Sequence, residues 1–181
     1  VKKQHPQHRC EGGFTLLELV VVIVLMGILA ATAIPSFSAA SEARGLAATR
    51  EVERRLTHAR SRASATGEPT GLSVDTAGSL EFLRIASSGA SPSAVPSPTG
   101  EPGGVWILPS AYPGVSVGKI IGGDGSTASS QVIWFGYDGT PELRSPSGAR
   151  LGAFKQDASI ILSGTGGGTV RVLGGSGVVE R

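Results

Sequence analysis

A single carboxylate, Glu18, interrupts the run FTLLELVVVIVLMGILAATAI at positions 14–34. A charged group in such a run costs about 2.5–3.5 kcal/mol near the centre of a membrane helix and less near its end. A plain anchor or a signal peptide gains nothing from it, so Glu18 calls for a partner. The other reactive side chains offer less. His5, His8 and Cys10 cluster like metal ligands, but they precede the apolar run and read as leader residues. His58 lies among arginines on a helix and is expected to be solvated. Serine is abundant without a His/Asp set to activate it. The GTGGG run at 164–168 lacks the Lys-Ser/Thr of a phosphate loop and reads as a flexible hairpin tip. Gly123-Asp124-Gly125-Ser126 hints at calcium, but one Asp supplies too few oxygen ligands. The expectation is a chain that is no enzyme and carries no cofactor.

Stepping outward from Glu18, the apolar run is long enough to cross a bilayer core, which needs about 20 helical residues. Lys2, Lys3 and Arg9 precede it. Positive residues beside a span stay cytoplasmic, which puts the bulk of the chain across the membrane. Residues 36–65 are rich in Ala, Arg and Glu and continue the helix past Pro35. Leu46, Val52, Leu56, Ala59 and Ala63 mark one face by 3.6 periodicity, with Arg50, Glu51, Arg54, Arg55 and Arg62 opposite. Glu51 and Arg55 form an i,i+4 surface pair worth a few tenths of a kcal/mol. Thr66-Gly67-Glu68-Pro69 ends the helix. One Cys excludes an internal disulfide.

Three readings of the N-terminus compete. A basic start, an apolar run and Ala31-Thr32-Ala33 supply the parts of a secretory signal peptide. A plain membrane anchor is the second. Cys10 lacks the small apolar residues before it that a lipoprotein needs. The third rests on Gly12-Gly13-Phe14-Thr15-Leu16-Leu17-Glu18, with Gly27 and Pro35 further on. Here the chain resembles type IV pilins and type II secretion pseudopilins. The resemblance implies cleavage between Gly13 and Phe14 by prepilin peptidase, N-methylation of Phe14, and pairing of Glu18 with the new amine of a neighbouring subunit. It divides the chain into a leader at 1–13, a membrane helix at 14–35, a periplasmic continuation at 36–66 and a β-rich domain at 67–181. The implied place is the inner membrane, single-pass, N-terminus cytoplasmic, with other pilin subunits as partners.

Beyond the helix the pattern is of short strands. Residues 71–74 and 79–85 flank a turn closed by Gly78. Residues 105–108, 115–121, 131–137, 159–162 and 169–173 complete the set, and 87–104 is a Ser/Pro/Gly-rich loop. Trp106 and Trp134 alternate with apolar neighbours and are expected inside. The fold class is α+β: one long helix on an antiparallel sheet. Residues 56–63, with an A-R-x-x-A run, and 132–139, VIWFGYDG, resemble the GspH/FimT branch of minor pilins and pseudopilins.

Two functions follow from that branch. One is a minor pseudopilin or minor pilin that helps initiate or cap a short pilus in type II secretion or a type IV system. The alternative is a FimT-like subunit that binds extracellular DNA, with Arg144, Arg150, Lys155, Arg171 and Arg181 as contacts. The chain ends GGSGVVER, with Val178 where the DNA-binding members' G-R-x-R-like run has its first Arg, and Glu180 adds an opposing charge. The net charge of +2 and the pI near 9.0 also argue little for DNA. Without the first 13 residues the formal charge is zero, with six Arg against three Glu in 42–62 and an acidic remainder.

Overall fold

The computed structural model describes residues 15–86, 90–98, 100–101 and 104–181, and of residues 32–37 the backbone alone. The chain divides into two compact units, Val1–Ser38 and Ala39–Arg181. Helix α1 (Leu16–Thr66) contributes to both and continues through position 35 without a break. In the first unit it opens on a cap. The Glu18 amide donates to Thr15 Oγ1 at 3.2 Å, and the Leu19 amide donates to the Thr15 carbonyl. Its large apolar side chains from Leu16 to Leu29 are exposed on every side of the helix. Among the described residues no helix is long and apolar enough to cross a membrane. The expected span at 14–35 extends past them, since Phe14 and the side chains of 32–35 lie outside the described residues.

In the second unit Ala48, Val52, Leu56, Ala59 and Ala63 are fully buried. Leu46 is not with them; it is 47 % exposed. Six residues from Leu46 to Val52 turn the helix by about 240° net of a full circle, so Leu46 falls on the outer face. Gly67 ends the helix as expected, at φ +68° with its amide donating to the Ala63 carbonyl at 3.0 Å.

The strands make two antiparallel sheets where one was expected. The first holds β1 (Thr70–Asp75), β2 (Ser79–Arg84), β3 (Ser93–Ala94), β4 (Val105–Ile107), β6 (Ser130–Phe135), β7 (Pro141–Arg144) and β8 (Arg150–Ala153), in the order β3-β2-β1-β6-β7-β8 with β4 also on β2. The second runs β11-β10-β9-β5, from β5 (Ser116–Ile121), β9 (Ala158–Ser163), β10 (Thr169–Val172) and β11 (Val179–Glu180). A single turn, α2 (Leu108–Ala111), links β4 to β5. One core joins the α1 stripe to Leu72, Phe82 and Phe135 of the first sheet and to Ile120, Ile160 and Val170 of the second. Strands such as β9 and β10 alternate inward and outward, so that every second residue reaches the core.

Both tryptophans are buried, on different faces. Trp106 belongs to the core. Trp134 sits on the other side of the first sheet, opposite Gly71 in register, where a Cβ on Gly71 would collide with its indole ring.

The 164–168 run is not a free tip. A Cβ on Gly45 of α1 would collide with the backbone of Thr165 and Gly166, and one on Gly166 would collide with the backbone of Glu42. The glycines let the β9–β10 hairpin lie backbone against backbone on the helix. Within α1, Thr49 Oγ1 donates to the Gly45 carbonyl at 2.9 Å.

Candidate functional site

The residues singled out in the sequence fall in three places. Gly13 and Phe14 lie outside the described residues. Glu18 occupies the first turn of α1 and is exposed. Thr15 and Glu18 have the spacing of a capping box, in which an acid at the third helical position complements the cap. That signal was present in T-L-L-E and was not read from the sequence. A carboxylate there is also favoured by the helix dipole, by roughly 0.3–1 kcal/mol.

The five cations considered for DNA divide into two groups. Arg144 and Arg150 are opposite one another in the β7–β8 ladder and both hold the Glu142 carboxylate, which is only 5 % exposed. Arg144 Nε donates to Glu142 Oε1, and its Nη1 donates to the Gly148 carbonyl at 2.6 Å. Arg150 Nε donates to Glu142 Oε2 at 2.8 Å, with its side chain 63 % exposed. Arg150 and Lys155 line a cleft of about 440 Å³ with Thr140, Phe154, Gln156 and Asp157. Arg171 lies 3.9 Å from Glu180 on the β10–β11 ladder, and Arg181 Nε meets Glu53 Oε2 of α1 at 2.8 Å. Four of the five therefore carry a carboxylate partner. The resulting field is one of local dipoles rather than a positive stripe.

Two polar residues of α1 behave differently from expectation. His58 is half-buried, edge-on to Phe82 with ring centroids 5.4 Å apart. That partial burial lowers its pKa below the ordinary 6.5, and Arg62, Arg54 and Arg55 lower it further. Arg55 is 2 % exposed rather than on the surface. Its Nε meets Glu51 Oε1 at 2.8 Å, its Nη2 meets Glu101 Oε1 at 2.6 Å, and its guanidinium lies 4.3 Å above the Trp106 ring. Nothing in the spacing of Glu51 and Arg55 signals burial, because the second carboxylate comes from the loop at 87–104.

The Asp124 carboxylate is engaged locally. It accepts the amide and hydroxyl of Ser126 at 2.9 and 2.7 Å, and the hydroxyl chiefly holds its pKa below the usual range.

Glu18 lies in the first turn of α1, and the comparison with known families bears on this N-terminal stretch. Residues 8–34 match the prokaryotic N-terminal methylation motif. No curated protein and no solved structure matches the chain. The methylation motif is the prepilin signal of type IV pilin-like proteins and supports a pilin or pseudopilin in general terms. It spans the junction at Gly13 and Phe14, contains Glu18, and ends before the second unit begins. The α+β architecture of that unit, a helix followed by antiparallel sheets, is consistent with a pilin-like fold.

Proposed function

We propose that the chain is a minor pilin or pseudopilin of the GspH/FimT branch, a non-enzymatic subunit that helps initiate or cap a short pilus. The methylation motif at 8–34 carries the pilin or pseudopilin part of this reading, and the GspH/FimT branch rests on the resemblance of residues 56–63 and 132–139. The reading is supported by the helix that opens at Thr15 and by the β-rich unit that follows the helix. Prepilin peptidase cleaves after Gly13, and the Phe14 amine is methylated. The exposed apolar first half of α1 then holds the subunit in the inner membrane until other subunits cover it, with the N-terminus cytoplasmic and the second unit periplasmic. Burial of an apolar side chain from water stabilises by about 1.5–3 kcal/mol, so such a helix is not left in solvent.

Mass spectrometry of the chain recovered from its host tests the processing. The expected N-terminus is methyl-Phe14. A start at Ile34 would establish signal-peptide cleavage and end the pilin reading.

The DNA-binding alternative has less support, because Glu142, Glu180 and Glu53 offset four of the five candidate cations. A salt-sensitive gel shift abolished by Arg171→Ala and Arg181→Ala together would reverse that ranking.

A further inference from the structure

Strand β1 covers one edge of β2, from Thr70 opposite Arg84 to Val74 opposite Leu80. Two short strands share the other edge. β3 sets Ser93 opposite Arg84 and Ala94 opposite Leu83, and the Val95 amide donates to the Phe82 carbonyl at 2.9 Å. β4 sets Val105 opposite Glu81, Trp106 opposite Leu80 and Ile107 opposite Ser79. Positions 93, 94, 95, 105, 106 and 107 thus face 84, 83, 82, 81, 80 and 79 in unbroken order. The alternation also survives the jump. Val95 and Trp106 are buried on the core side, while Ala94 and Ile107 are exposed. A Cβ on Gly104 would lie 3.3 Å from the Val95 carbonyl oxygen, so the two ends of the excursion meet.

Val95 and Val105 therefore occupy neighbouring positions on β2, about one strand residue of 3.4 Å apart. β3 and β4 are halves of one edge strand, and residues 96–104 are inserted into it. Joined, the halves would read Ser-Ala-Val-Val-Trp-Ile. An open strand so rich in β-branched and aromatic residues is a template for edge-to-edge pairing. The insertion starts with Pro96 and Pro98, which have no amide to donate. It is drawn toward α1 by Ser97 and Glu101, both bonded to Arg55. The other outer strands are blunted too. β8 and β5 each carry a register shift, with Arg150 and Lys119 exposed on them, and β11 is two residues long.

We propose that the 96–104 insertion is an edge guard: it splits the strand on β2 so that a second copy of the chain cannot add to the sheet there. Three full-length chains in mild detergent test it, all retaining Arg55, which keeps Glu51 as its partner when Glu101 is removed. One is the intact chain. One joins Val95 directly to Val105. One replaces 96–104 with nine Gly and Ser residues. Circular dichroism reads the fold and sedimentation velocity reads association. The joined chain is expected to keep the strand signal and shift to dimers and larger species as concentration rises. The other two stay at the intact baseline, and Ala94→Lys in the joined chain returns it to that baseline. A folded joined chain that stays at the baseline overturns the proposal. So does a joined chain that unfolds while the Gly/Ser chain folds, because the halves would then not form one strand. Equal association of the Gly/Ser and joined chains overturns it as well.

Discussion

Gly45 of α1 and Gly166 of the β9–β10 hairpin meet backbone to backbone, with no room for a Cβ on either. Among the described residues, Gly45 is the first of the helix to be buried. Gly166 also holds φ +74°, which L side chains adopt at a cost.

Substitution at this contact should destabilise the second unit. Gly45→Ala and Gly166→Ala are each expected to cost about 1–3 kcal/mol, the range for overpacked sites. Gly175, with nothing within 4 Å of a Cβ, is the control and should tolerate Ala. Thermal unfolding of the three variants measures this. Equal midpoints would mean that the hairpin is not held on the helix.

Arg55 should be among the most sensitive residues of α1. Arg55→Ala leaves Glu51 and Glu101 facing each other beside Trp106 and is expected to cost about 3–5 kcal/mol. Arg55→Lys should recover little, because a point charge cannot stack on the indole and serve two carboxylates. Urea unfolding reads both variants, and a loss below about 1 kcal/mol for Arg55→Ala would place the cluster on the surface.

His58 makes stability depend on pH. Its pKa is lowered in the folded chain, so the unfolded chain takes up the proton first as pH falls below 6.5. Stability should decline from there and level off once the folded state is also protonated. His58→Gln should flatten the curve between pH 7 and the plateau, which denaturant midpoints across that window would show. An unchanged slope would assign the dependence to other groups.

At Glu18 two roles separate cleanly. Glu18→Gln keeps a side chain that can close the capping box with Thr15 but removes the charge. If Glu18 pairs with the amine of a neighbouring subunit, Glu18→Gln should lose incorporation into a pilus as fully as Glu18→Ala. Normal incorporation of the Gln variant would leave the cap as the whole role of this residue.

The sequence made the helix end at Gly67, the hairpin closed by Gly78 and the strands with apolar alternation legible, because each rests on local chemistry. Strands β7 and β8 were invisible. Pro-Glu-Leu-Arg and Arg-Leu-Gly-Ala have no clear alternation, since Glu142 is buried by two arginines and Leu151 is exposed. The second sheet was likewise beyond reach, as nothing in a strand's pattern says which neighbour it will choose. At the N-terminus the chemistry of 13–18 pointed to the prepilin signal. The packing of Gly166 and the burial of Arg55 could not be read there, because both depend on groups distant in the chain.

Within the second unit two of the contacts that grip α1 lie near the ends of its buried stretch. Near its start the β9–β10 backbone lies on Gly45, and about four turns later Arg60 donates to the carbonyls of Gly139 and Ser176 at 3.2 and 3.0 Å. A tensile force applied along the helix would load both grips together, in shear. Neither could be opened one bond at a time from an end, so the unit should withstand axial pulling far better than peeling of its outer strands.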